Sequence, residues 1–197
     1  SARPDLNFTS VAPSAMKGMF EVEFNGGGVI YTTETGGHFV VGEVYEVNTG
    51  GIVNLTEARK NVDRATAVNA LNTSDLIVYS PKGEVKASMY VFTDVDCGYC
   101  RLIHKEVPAL NDMGIEVRYL AFPRAGLGSK SYEKIASAWC ADNKQVALDE
   151  LKAGKDITVD VCDNNPVGKQ YALGQKLGVS GTPAFLFESD ELVPGYI

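Results

Sequence analysis

The 197 residues are 45% hydrophobic and 22% charged, carry four cysteines and have a formal net charge of -7. This composition excludes a disordered chain and fits one or two globular domains, and an acidic balance with no lysine or arginine block argues against nucleic acid or an anionic membrane as partner. No apolar run approaches the ~20 residues needed to span a bilayer and no signal peptide stands at Ser1, so the chain reads as a processed or trimmed form.

Met19 to Asn25 sets Phe20, Val22 and Phe24 against Glu21, Glu23 and Asn25, the alternation of a strand with one buried face. Gly26-Gly27-Gly28 turns the chain. Val29–Thr32, His38–Val41 and Val44–Val47 read as further short strands, separated by the turns Thr35-Gly36-Gly37 and Asn48-Thr49-Gly50-Gly51. A β meander this small buries little surface and leaves strand edges open, so it is expected to pair with a copy of itself. His38 within it reads as structural. Asn54 with Glu57 resembles a capping box, and the stretch to Asn72, free of Gly and Pro, reads as a helix. Its large apolar residues, Leu55, Val62, Val68 and Leu71, form no full stripe, so a solvated connector is expected.

A strand from Leu76 to Tyr79 and a Pro-Lys-Gly turn open a second region. The apolar run Met89 to Phe92 then reads as a buried strand that ends at Thr93-Asp94, just before Cys97-Gly98-Tyr99-Cys100. A helix follows on Ile103, Val107 and Leu110, with Pro108 expected to kink it and Gly114 to stop it, and Ile115 to Phe122 supplies the next strand. A C-x-x-C at the first helix of a βαβ unit reads as thioredoxin-like redox chemistry. Amide N–H groups and the helix dipole favour a thiolate at Cys97, and Cys100, one turn further in, is expected to be less ionised. Asp94 and Asp96 oppose the thiolate as like charges, with the amides expected to prevail. Half of a zinc site is the alternative, but Cys140 and Cys162 do not form a second C-x-x-C, and Arg101 stands where haem attachment needs histidine. His104, one turn past Cys100, reads as a helix-surface residue.

Pro123–Gly128 is a loop, and helices are expected over Ser129–Asp142, Asn143–Ala153 and Val167–Leu177, the last two ended by Gly154 and Gly178. Val179-Ser180-Gly181-Thr182-Pro183 leads into a strand over Ala184–Phe187, with Leu192-Val193 as the final one. The sequence calls for no cofactor and no metal: no phosphate loop, serine triad, metal triad or paired-carboxylate pattern is present.

The runs F-T-D-V-D-C-G-Y-C-R-L-I-H, R-Y-L-A-F-P-R-A-G-L, A-S-A-W-C-A, Y-A-L-G-Q-K-L-G-V-S-G-T-P-A and L-V-P-G-Y together resemble the DsbC/DsbG family of bacterial periplasmic disulfide isomerases, within the thioredoxin superfamily. The resemblance covers nearly the whole chain. It implies an α+β architecture: an N-terminal β dimerisation domain over 1–54, a linker helix over 55–75, and a thioredoxin-like catalytic domain over 76–197 with a helical insertion at about 129–177. Cys97 is then the nucleophile and Cys100 the resolving thiol, and Gly98, Tyr99, Thr182 and Pro183 are candidate substrate-binding residues. Thioredoxin-fold proteins carry a cis proline at the Thr182-Pro183 position, with backbone groups free to hydrogen-bond a substrate as an added strand.

Cys140 and Cys162 flank the helical insertion. An oxidising compartment and the resemblance favour a structural disulfide over two buried thiols; it closes a loop of roughly 20 to 25 residues, worth ~3 kcal/mol in the chain-entropy model. The family implies a periplasmic homodimer that acts on misfolded disulfide-containing proteins and is recharged by a membrane thiol reductase of the DsbD kind. It also continues past the last strand into a C-terminal helix, where this chain stops at Ile197, and the beginning looks short. Competing readings are a DsbA-like oxidant, against which Gly98-Tyr99 argues, and a DsbG-like chaperone or reductase.

Overall fold

The computed structural model describes residues 8–24 and 27–197. The expected turn at Gly26 falls outside them. Strands β1 (Phe8–Pro13), β2 (Met19–Phe24), β3 (Val29–Thr33) and β4 (Phe39–Val41) form an antiparallel sheet in sequence order, and β5 (Tyr45–Asn48) pairs with β6 (Gly51–Asn54) as a hairpin. Two of these strands, β1 and β6, have no counterpart in the sequence reading. The one-sided burial expected of β2 is corrected: all six residues are half-buried, because Arg59 of the following helix lies over Glu21 and Glu23.

That helix, α1 (Leu55–Asn69), starts where Asn54 accepts a hydrogen bond from the Glu57 amide at 3.0 Å. Thr56 is buried on its first turn, accepting from the Val44 amide at 2.9 Å and meeting the Tyr31 hydroxyl at 2.5 Å. The solvated-connector reading is corrected too. Val68 packs in a core cluster with Leu76, Phe92 and Leu177, and buried Arg64 donates to the Leu177 carbonyl and pairs with Glu57.

Beyond α1, β7 (Ile77–Tyr79), β8 (Ala87–Thr93), β9 (Ile115–Ala121), β10 (Ala184–Phe187) and β11 (Leu192–Pro194) make one sheet in the order β11-β10-β8-β9-β7. Only β8 and β9 run parallel, joined by α2 (Gly98–Asp112), which continues through Pro108 as one helix. The helices α3 (Lys130–Cys140), α4 (Lys144–Lys152) and α5 (Val167–Leu177) complete the fold. The near-continuous apolar character of β8 reflects burial on both faces. Met89 and Val91 join Ile103, Val107, Ile135 and Leu148 in one cluster, whereas Tyr90 and Phe92 join Leu120, Phe122 and Leu186 in the other. Among the described residues no helix is long and apolar enough to cross a membrane.

Candidate active site

The site forms where β8 ends and α2 begins. Cys97 is the N-cap of α2, and its sulfur accepts a hydrogen bond from the Cys100 amide at 3.4 Å. It is therefore held against an N–H that the helix leaves without a partner, at the positive end of the helix dipole. The same thiol donates to the Thr182 carbonyl at 3.2 Å, from the segment that enters β10 through a cis Thr182–Pro183 bond. The parallel register of β8 against β9 sets Thr93 beside Ala121, so the Pro123–Gly128 loop after β9 lies next to the turn before the cysteines.

The two cysteines differ in chemistry because their surroundings differ. Burial opposes ionisation of Cys97, yet hydrogen bonding by Thr182 and by the Cys100 thiol and amide, with the Arg124 charge, carries it below the ordinary thiol value. Burial dominates at Cys100 and raises it above that value, against the opposing charge of Lys152. The Thr182 hydroxyl is buried without a hydrogen-bond partner. One thiol is thus poised to attack and the other is held protonated, with no exposed surface.

The sequence reading set Asp94 and Asp96 against the thiolate, and the structure corrects this. Asp94, 2% exposed, accepts from the Ser131 hydroxyl at 2.7 Å, the Arg124 and Asp96 amides at 2.9 Å each, and Arg124 Nε at 3.1 Å. These bonds outweigh its burial and hold its carboxyl below the usual range. Asp94 therefore recruits the cation that favours the Cys97 thiolate. Asp96 is paired with Lys134 at 3.1 Å and Arg101 at 3.8 Å. His104 is not on the surface either. Its side chain is largely buried, with Nδ1 at 3.1 Å from the Tyr119 hydroxyl and Nε2 at 2.9 Å from Asp149, and burial keeps its pKa low.

Gly98 and Tyr99 sit at the mouth of the site. A Cβ at Gly98 would meet nothing, and Tyr99 is exposed and stacks on Tyr196 with ring centroids 6.0 Å apart. Cys140 and Cys162 are bonded to each other, joining the end of α3 to the segment before α5. Among the described residues no group of three or more His, Cys, Asp or Glu side chains is gathered for a metal. Sequence reasoning missed Arg124, Ser131 and Lys152. Lys152 carried a signal: it falls four residues after Leu148 on the buried face of α4, where a lysine is out of place.

Comparison with known proteins agrees with this geometry. Residues 1–57 match the disulfide bond isomerase protein N-terminal domain, and residues 73–197 match a thioredoxin-like domain. The thiol:disulfide interchange protein DsbC of Escherichia coli K12 is 40% identical over 195 residues, covering 99% of this chain and 79% of that protein. The namesake from Salmonella typhimurium is 41% identical over the same share. Among solved structures, a disulfide interchange protein from Neisseria gonorrhoeae is 27% identical with a TM-score of 0.57, covering 64% of this chain and 89% of that one. A linker-deletion variant of Proteus mirabilis ScsC, 21% identical with a TM-score of 0.59 over 72% of this chain and 77% of that one, shares the fold.

Proposed function

The chain belongs to the DsbC family of thiol:disulfide interchange proteins and is a thiol-disulfide oxidoreductase of the isomerase kind, and from that premise we propose how its residues divide the work. Cys97 attacks a wrong disulfide in a substrate protein, one substrate sulfur leaves as a thiolate, and a mixed disulfide forms. A second substrate thiol then expels Cys97, which leaves the substrate rearranged. When rearrangement stalls, Cys100 attacks Cys97, releasing reduced substrate and leaving a Cys97–Cys100 disulfide for an external reductant. The observation that carries this assignment is the split between the two sulfurs, with Cys97 capped by an amide and eased toward ionisation while Cys100 is buried and held as a thiol.

Thr182, Pro183, Gly98 and Tyr99 bind the substrate segment. The Thr182 carbonyl is occupied by the Cys97 thiol in the reduced form. It becomes free once that sulfur is bonded to substrate, so strand-like pairing with the incoming chain is available when the mixed disulfide exists. Cys140–Cys162 is structural. The divisions 1–54, 55–75 and 76–197 correspond to a dimerisation domain, a linker and a catalytic domain. The protein acts as a homodimer in the periplasm on misfolded disulfide-containing proteins, with a membrane thiol reductase of the DsbD kind as electron donor. The exposed apolar residues of β4 to β6 support the dimer, and the disulfide supports an oxidising compartment.

Reactivation of scrambled ribonuclease tests the assignment. Cys97→Ser is expected to abolish it, and Cys100→Ser to accumulate substrate-linked enzyme on non-reducing gels. Trapping by Cys97→Ser instead would reverse the two roles.

A further inference from the structure

Lys152 closes α4 directly beneath the active site, and nothing in the exchange chemistry yet uses it. It is 3% exposed. Its Nζ donates to the Thr93 hydroxyl at 2.5 Å and to the Asp94 carbonyl at 2.9 Å, and sits 5.9 Å from the centre of the Tyr119 ring. Among the described residues no carboxylate forms an ion pair with it. An ammonium buried without a counterion is costly, and burial pushes this one down to about 8. The Asp94 carbonyl that takes its hydrogen bond also accepts from the amide of the nucleophile, Cys97, at 3.4 Å, so the lysine and the C-x-x-C turn share one anchor.

The charged and titratable groups around Lys152 come from every element packed on it. Cys97, Cys100, Arg101 and His104 face it from α2 and its cap, Asp94 from the end of β8, Tyr119 from β9, and Asp149 from its own helix. The arginine and the lysine repel. The Asp94 carboxylate is committed to Arg124 and Ser131. Of the two thiolates that arise during the reaction at this depth, that of Cys100 acts on Lys152 more strongly than that of Cys97.

We propose that Lys152 is a positioning residue for the resolving step: its ammonium, anchored on Thr93 and the Asp94 carbonyl, stabilises the Cys100 thiolate and thereby sets how long a Cys97 mixed disulfide survives. This rests on the assignment of Cys97 as nucleophile and Cys100 as resolving thiol given above. In the step itself Cys100 loses its proton to water, its sulfur attacks Cys97 Sγ, the Cys97–Cys100 bond forms and the Cys97–substrate bond breaks. The substrate sulfur leaves with the electron pair and takes up a proton. Cys100 is oxidised and the substrate sulfur reduced, so the electrons balance without a further reagent. A slower resolving step gives the substrate more time to rearrange, so Lys152 tips the enzyme from isomerisation toward reduction.

The magnitude follows from thiol chemistry. An opposite charge close by is worth about one to three pH units on a thiol. Each unit by which Cys100 rises costs about tenfold in thiolate and recovers about threefold in nucleophilicity, a net loss of about threefold. Lys152→Met and Lys152→Gln are therefore expected to slow resolution by about 3- to 30-fold.

Quenched-flow mass spectrometry of the reduced full-length protein with excess oxidised glutathione reads both steps, as the rise and the decay of the Cys97–glutathione adduct. In both variants the decay is expected to slow and its pH profile to move upward, with the rise changed less than about threefold. Unchanged decay, or rise and decay slowed alike, overturns the proposal. Failure of Cys100→Ser to trap the adduct would instead overturn the assignment on which it rests. A measurement on the unaltered protein stands beside these should the variants fold poorly. The Lys152 ammonium, followed by carbon NMR at the methylene next to Nζ, is expected to titrate at lower pH in the Cys97–Cys100 disulfide form than in the reduced form. Equal midpoints in the two forms would show that the lysine and the thiols do not interact.

Discussion

Before α1, Val41, Val47 and Ile52 are each more than 70% exposed, and Tyr31 is the one buried apolar side chain among the described residues of that region; after α1, Val91, Phe92, Leu120, Ile135 and Leu148 have no exposed surface. The two regions use similar residue types to opposite ends. In the catalytic region, alternate residues of β8 and β9 feed two cores, one on each face of a sheet covered by helices. The N-terminal strands β1 to β4 form one sheet, and every residue of β1 and β4 is exposed. Each large aliphatic group left in water forgoes about 1.5 to 3 kcal/mol of burial. A surface of that kind is stable as half of an interface, which is what supports the proposal that this region dimerises while the other carries the chemistry.

The largest expected effect comes from spoiling that half-interface. Val47 and Ile52 are directly opposite each other in the β5–β6 hairpin. Replacing both with aspartate sets like charges face to face, which should cost the hairpin up to about 1 kcal/mol in solution and exclude a second copy. Light scattering is expected to report a monomer and scrambled-ribonuclease repair to fall by about tenfold or more, since a second site is no longer held at high effective concentration. Reduction of a small disulfide should continue at a comparable rate per site. A variant that stays dimeric, or a monomer that repairs as well as the parent, would break the division of labour.

The same contrast explains what was legible in the sequence. The catalytic region announced itself through β8, α2 and β9, because burial on both faces leaves a nearly unbroken apolar run and because the cysteine spacing marks the helix start. In the N-terminal region β1 was missed, since all six of its residues are exposed and no alternation marks it, and β6 was hidden by Gly50-Gly51, which reads as turn although Gly51 opens the strand. Within the site, the cysteines and Thr182-Pro183 were readable, whereas the partners that set their charge were not. Arg124 reaches Asp94 across 30 positions through the β8–β9 register, and His104 looked like a surface residue because Asp149 of α4, 45 positions away, covers it. Pairings of that range are fixed by tertiary structure, so no local pattern carries them.

A smaller effect tests whether the catalytic region is secure through packing alone. Cys140→Ala with Cys162→Ala removes a bridge spanning 22 positions, and the chain-entropy model gives a loss of ~3 kcal/mol. The melting temperature should fall while repair activity persists at temperatures where the variant is folded, because the two cores around the sheet remain. An unchanged melting temperature would remove the structural role of the bridge. Activity lost in a folded variant would show that the insertion helices need the covalent tie to hold the site.

The finest comparison sets one glycine in each region against the other. On α5, a Cβ at Gly174 would come 2.6 Å from Phe122 Cδ2, 2.8 Å from Cε2 and 3.1 Å from Phe92 Cδ1. Phe122 has little room to withdraw, because its ring lies 4.8 Å from that of Tyr171 on one side and meets Phe92 edge-on at 6.2 Å on the other. Overpacking costs about 1 to 3 kcal/mol, and the better helix propensity of alanine returns about 1 kcal/mol of that. Gly174→Ala is thus expected to destabilise by up to about 2 kcal/mol, with a fall in melting temperature of about 2 to 4 °C per kcal/mol. Gly42, in the bend between β4 and β5, has open space where its Cβ would go and does not need a positive φ. Gly42→Ala should therefore be neutral or slightly stabilising, by less than about 1 kcal/mol, since alanine restricts the unfolded chain at no cost to the native one. Calorimetry of the two variants decides it. If Gly174→Ala melts at or above Gly42→Ala, the catalytic core is looser than its ring contacts imply, and the contrast between a closely packed region and an open one fails where it is sharpest.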